Sequence, residues 1–235
     1  MSTVPSPMSN FQAEDLKEYN PSDLANLVRY CVLELMNRQA YRFPLPDGPF
    51  SGAGIYALFY DGSFPQYQHP SIRSDDLTRP IYVGRARLTR SSGKNPLFHR
   101  LKEHERSISA ASNLSASDFA CRFLVLHPLW VSTVEDILIE HYGTLWNGAL
   151  QGFGVHDPGS KRHTGKIPLW DALHPGREHA KKMVAKGAAG ASPMEIDGLI
   201  QRFTNQARAI TPLSLNEAQE AFAFEDAPMP SEGDT

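Results

Sequence analysis

Leu24, Leu27, Val28, Cys31, Val32 and Leu35 recur three and four residues apart, the spacing that gathers side chains on one face of a helix. An amphipathic helix is therefore predicted there, with Ser22 placed as its N-cap. PLPDGPFSG breaks it, and GIYALFY (54–60) reads as a strand bounded by glycine. Residues 61–79, rich in Ser, Pro and Asp, read as a long loop before a second strand, PIYVG. A basic connection over 85–95 leads to a helix from about Asn95, whose apolar stripe is Leu97, Leu101 and Ile108. FACRFLVL (119–126) is a third strand. The next helix is expected to start at Ser132, where Ser-Thr-Val-Glu matches a capping box.

The order helix, strand, strand, helix, strand, helix predicts an α+β fold. Its centre is a small three-stranded, mostly antiparallel sheet with helices packed on it. Residues 148–180 are irregular and rich in Gly, Pro and His; nearby tryptophan segments imply that they are packed rather than free. A last helix starts at Ser192, where Ser192, Pro193 and Glu195 form a capping box with proline at the first helical position. The chain divides into a flexible arm (1–18), a single domain (19–210) and an acidic tail expected to be disordered (211–235).

Charge changes this picture. The net charge is −3, but residues 211–235 hold six acids and no Lys or Arg, so the remaining body has 23 basic against 20 acidic residues. Residues 79–106 alone hold eight Lys or Arg against two acids. Such a concentration suits a polyanion, and equally a solvated helix face. No apolar run approaches the roughly eighteen residues of a membrane span, and the first twenty residues lack the basic start and apolar core of a signal peptide. Cys31 and Cys121 sit in apolar runs and read as reduced, buried thiols, too few for a structural zinc. A cytoplasmic, disulfide-free protein is expected.

Several residues carry candidate chemistry beside a plainer reading. Arg100 and His104 are four apart on one helix face. They can converge on an anion, the guanidinium matching a phosphate and the imidazole moving a proton, or can simply flank the apolar stripe. Glu135 is either the capping-box partner of Ser132 or a hard-oxygen ligand for Mg²⁺. Asn147, before Gly148, reads as a helix C-cap. Strand tyrosines are ordinarily core, the reading given to Tyr60, Tyr67 and Tyr142.

Taken in order, Gly-Ile-Tyr at 54–56, Tyr-Val-Gly at 82–84, Arg100 with His104, Glu135 and Asn147 resemble the GIY-YIG nuclease family, with Val83 where isoleucine is usual. The resemblance covers about residues 50–150, the implied catalytic core. It implies Tyr56, Tyr82, Arg100, His104, Glu135 and Asn147 as site residues. Glu135 would hold one Mg²⁺ (or Mn²⁺), Arg100 would grip the scissile phosphate, and Tyr56 would orient or deprotonate water. A phenol is a weak base near neutral pH, so cations must assist it, and whether Tyr56 or His104 takes the proton stays open. Asn147 would position backbone or the glutamate. The glycines of the two strands would let backbone come close to substrate.

His104, the basic insertion before Arg100 and the segment GFGVHDPGSKR look most like the restriction endonucleases that cut the SacII-type site CCGCGG. Arg85, Arg87, Arg90 and Lys94 are then expected on the DNA backbone. His156, Lys161, Arg162, His163 and Lys166, within a recognition segment of about 148–182, are expected to read bases, since Arg and Lys donate well to guanine. The histidines also raise a second metal site or an HNH nuclease, but neither H-N-H spacing nor CxxC is present. Cutting both strands of a palindrome implies double-stranded DNA and a homodimer as partners, with a cognate methyltransferase linked by function. A repair or mobile-element nuclease and a DNA-binding module without catalysis are the alternatives.

Overall fold

A computed structural model describes residues 22–207 except 90–92, 156, 158 and 160–162, with side chains from residue 30 onward. The expected arm and acidic tail, together with Arg90, His156, Lys161 and Arg162, lie outside the described residues.

Among those residues the helices are α1 (Ser22–Asn37), α2 (Pro96–Ala110), α3 (Pro128–Tyr142), α4 (Leu169–Leu173), α5 (Glu178–Ala185) and α6 (Pro193–Gln206). The strands are β1 (Tyr41–Arg42), β2 (Gly54–Tyr60), β3 (Tyr82–Ala86) and β4 (Phe119–Val125). They form one antiparallel sheet in the order β1-β4-β2-β3. The sheet thus has four strands, not three. Tyr41 and Arg42 pair with Cys121 and Ala120, and two residues are too few to show the alternation by which a strand is recognised.

β2 is buried along its whole length because both faces of the sheet are covered. Tyr56, Leu58 and Tyr60 point to one face, where Leu97, Leu101 and Ile108 of α2 pack on them. Ile55, Ala57 and Phe59 point to the other, against Val32 and Leu35 of α1 and Val131, Val134 and Leu138 of α3. GIYALFY is therefore apolar at consecutive positions, the pattern of a central strand buried on two sides.

Two helix boundaries differ from expectation. α3 starts at Pro128, with the His127 ring accepting from the Leu129 amide at 3.4 Å. Proline at a first helical position costs no intrahelical bond, so the helix starts four residues before Ser132. The Ser132–Glu135 capping box does not form; the Ser132 hydroxyl accepts from Arg87 instead. α3 ends at Gly143, in the left-handed conformation at φ 49°, so Asn147 is not its cap. At α6 the expected box is present, with Ser192 N–H donating to Glu195 at 2.7 Å and Glu195 N–H to Ser192 Oγ at 3.3 Å.

Residues 148–180 contain α4 and the start of α5, and the segment is anchored where buried Trp170 meets buried Trp146 edge-on at 5.6 Å. Tyr60, Tyr67 and Tyr142 are core, as expected. Both cysteines are free, Cys121 buried and Cys31 half-buried. No helix among the described residues is long and apolar enough to cross a membrane.

Candidate active site

The alternation of β2 and β3 brings Tyr56 and Tyr82 to the face covered by α2, with ring centroids 6.2 Å apart. His104 follows Leu97 and Leu101 along the α2 stripe and is itself buried. Its Nε2 lies 2.6 Å from the Tyr56 hydroxyl. The Tyr82 ring stands edge-on to the imidazole at 5.3 Å, and Phe153 stacks on it at 4.6 Å. His104 is thus a member of the apolar stripe rather than a flanking residue.

Gly84 explains how the Tyr56 ring fits. A Cβ there would lie 2.3 Å from the Tyr56 hydroxyl oxygen. At Gly54 a Cβ would lie 2.0 Å from the Leu124 carbonyl oxygen, so that glycine serves close strand pairing. The expectation that these glycines admit substrate backbone is corrected: one admits a tyrosine ring, the other a neighbouring strand.

Arg100, one turn before His104, points its guanidinium toward the same place. It donates to Glu103 at 2.9 Å and to the Gly154 carbonyl at 2.6 Å. Burial pushes the guanidinium toward deprotonation, but Tyr56, Glu103 and Tyr82 outweigh this and hold its pKa above the ordinary value. Burial pushes the Tyr56 phenol well above the ordinary tyrosine range, despite Arg100 acting in the opposite sense, and raises Tyr82 as well. Burial thus disfavours the Tyr56 phenolate.

Glu135 approaches from α3, across edge strand β3. Its carboxylate is 13% exposed and forms an ion pair with Arg85, whose guanidinium also lies 3.7 Å from Asp136. Burial raises the Glu135 pKa, with Arg85, Arg87 and Arg100 opposing the rise. Asn147 holds the same strand from outside. Its Oδ1 accepts from Val83 N–H at 2.8 Å and its Nδ2 donates to the Val83 carbonyl at 2.9 Å. The side chain thereby satisfies both backbone groups that an edge strand leaves open.

The family model for the Eco29kI GIY-YIG domain matches residues 48–203, most of the described chain. The chain belongs to this family. It is a restriction-endonuclease family, so the protein carries a GIY-YIG nuclease domain, and a nuclease of this kind binds DNA. None of the curated proteins matches.

The domain brings Tyr56, Tyr82, Arg100 and His104 into one cluster, while Glu135 is paired with Arg85 of β3 and Asn147 supports β3. The expected DNA contacts fare differently. Arg87 and Lys94 are exposed and Arg85 is half-buried on Glu135. Lys166 is exposed beside an open groove that Arg202 also lines. His163, expected to read bases, is buried with its Nε2 2.6 Å from Asp157 Oδ1. Phe153 and Gly154 complete the cluster and were not singled out from sequence, although both lie in the GFGVHDPGSKR run; an aromatic ring and a backbone carbonyl leave no chemical signature of their own.

Among the described residues no three His, Cys, Asp or Glu side chains group to hold a metal. Glu135 alone still fits Mg²⁺, which keeps several waters and takes one or two carboxylates together with substrate phosphate.

Proposed function

We propose that this protein is a Mg²⁺-dependent type II restriction endonuclease that hydrolyses phosphodiester bonds in double-stranded DNA at a short GC-rich palindrome, CCGCGG being the leading candidate. The observation that carries the reading is the 2.6 Å contact between Tyr56 and His104, set beside Arg100 in a chain of a restriction-endonuclease family.

Tyr56 orients the attacking water. Because Tyr56 is a phenol with a raised pKa, it accepts a proton from water only as it passes its own to His104 Nε2, so no phenolate accumulates. Tyr82 completes the contacts to water or phosphate. Arg100 grips the scissile phosphate and offsets its developing charge. Glu135 holds the metal ion, which when bound neutralises charge on the phosphate and leaving oxygen. Mn²⁺ meets the same requirement. Arg87 and Lys94 bind the DNA backbone, and the segment after Asn147 reads the bases. A homodimer places one site on each strand of the palindrome, and a cognate methyltransferase protects the same site in a cytoplasmic setting.

Plasmid DNA incubated with the protein, in Mg²⁺ and in EDTA, tests this when the fragment ends are sequenced. Metal-dependent ends at one palindrome are expected. Ends at branched or damaged DNA would replace the reading with a repair or mobile-element nuclease, and binding without cleavage would leave a DNA-binding module.

A further inference from the structure

Residues 152–155 cross the catalytic cluster as a turn. Phe153 stacks on His104, and the Gly154 carbonyl takes a hydrogen bond from Arg100. A Cβ on Gly154 would sit 2.3 Å from the Tyr82 hydroxyl and 3.3 Å from Arg100 Nη2, so this turn packs directly on three of the site residues. What holds it is Arg177, the N-cap residue of α5, further along the same segment. Arg177 Nη2 donates to the Gly152 carbonyl at 2.8 Å, and Nη1 to those of Phe153 at 2.8 Å and Val155 at 3.4 Å. Its remaining donors go to Asp171: Nε to Oδ1 at 2.7 Å and Nη2 to Oδ2 at 2.5 Å.

All five guanidinium N–H groups thus have acceptors. The pair is almost fully buried, and the Arg177 guanidinium lies over the Trp170 ring at 4.6 Å. A buried ion pair is often no more stabilising than apolar packing of similar volume. What apolar packing could not do is grip three carbonyls of one turn.

We infer that Arg177 is a positioning residue for strand cleavage: through the turn at 152–155 it fixes Phe153 against His104 and the Gly154 carbonyl on Arg100. One buried side chain thereby sets the turn whose Phe153 and Gly154 touch the catalytic groups. This rests on the proposed reading of Arg100 and His104 as the groups that act on the phosphodiester.

The test uses the full chain with Arg177→Lys, which keeps the charge against Asp171 but cannot span three carbonyls. Phe153→Leu serves as a second variant, leaving Arg177 and its acceptors in place. Single-turnover cleavage at saturating DNA, DNA affinity in EDTA, and the NMR titration of the His104 ring are measured on folded protein. Both variants should lose about 10- to 100-fold in cleavage rate, keep DNA affinity within about twofold, and displace the His104 titration. An unchanged His104 titration, or a displaced titration with an unchanged rate, overturns the inference. A rate loss that only follows the folded fraction does the same. If Arg100→Ala and His104→Ala cut as fast as wild type, the reading of the site falls instead, while a displaced titration would still record the coupling.

Discussion

The Tyr56 hydroxyl and His104 Nε2 are 2.6 Å apart, and both side chains are almost completely removed from solvent. Two groups joined in this way act on a proton as a unit, and residues acting as a unit do not contribute additively. Tyr56→Phe and His104→Ala should each slow single-turnover cleavage by on the order of 10²- to 10⁴-fold. The double variant should be no slower than the worse single one. Multiplying losses would show that the two groups serve separate steps.

The two glycines of the opening strands predict different failures. Gly54→Ala drives a methyl group into the Leu124 carbonyl at 2.0 Å and must part β2 from β4. Gly84→Ala meets the Tyr56 ring, with 2.5 Å to its Cζ, and that ring is fully buried and held at its hydroxyl by His104. Thermal unfolding and DNA cleavage, measured together, should find Gly54→Ala chiefly destabilised. Gly84→Ala should retain more of its stability but lose most of its cleavage. A Gly84→Ala protein that cuts normally would mean that the Tyr56 ring position is not required.

The central strands, the amphipathic helices and the last capping box were legible because each is a local pattern read along a few residues. β1 was not, since its pairing with β4 is a tertiary event with no local period. Asn147 shows the same limit in a functional position. Beside a glycine it reads as a cap, the family resemblance implied that it positions backbone or the glutamate, and the fold shows that the backbone is that of Val83. Gly54, Gly84, Glu135 and Arg100 were visible through their order along the chain, yet what each one touches was not. Arg85 is the clearest case. Basic character pointed it at DNA, whereas the fold points it at Glu135.

That ion pair carries its own prediction. Arg85 holds the carboxylate expected to bind the metal, so the two cations compete for one ligand. Arg85→Gln should bind Mn²⁺ more tightly than wild type in the absence of DNA, by roughly 3- to 10-fold if the exposed side of the pair contributes about 0.7–1.4 kcal/mol. Titration calorimetry or Mn²⁺ magnetic resonance reads this directly, and adding Glu135→Gln should remove the gain. Equal affinity in wild type and Arg85→Gln would show that the pair does not oppose the metal.

The pH dependence of stability follows from a second tyrosine–histidine pair. Tyr67 and His174 are buried and 2.6 Å apart at Nε2, with Asn113 at 2.9 Å from His174 Nδ1 and the Trp146 indole donating to Tyr67 at 2.9 Å. Burial lowers the His174 pKa to about 3, against roughly 6.5 in the unfolded chain. The unfolded state therefore takes up a proton first, so this contribution to stability is present above pH ~6.5 and is lost as pH falls toward the folded value, by up to ~1.4 kcal/mol per unit. At the alkaline end the sign reverses. Burial raises Tyr56 and Tyr67 well above the ordinary tyrosine range and Cys121 to about 12, so the unfolded chain loses protons that the folded one keeps. Stability should fall from about pH 9 upward. Urea unfolding from pH 4 to 11 should trace a dome, and His174→Gln should flatten its acid side between pH 6.5 and 4. Wild-type and variant curves that run parallel over that interval would place the acid sensitivity elsewhere.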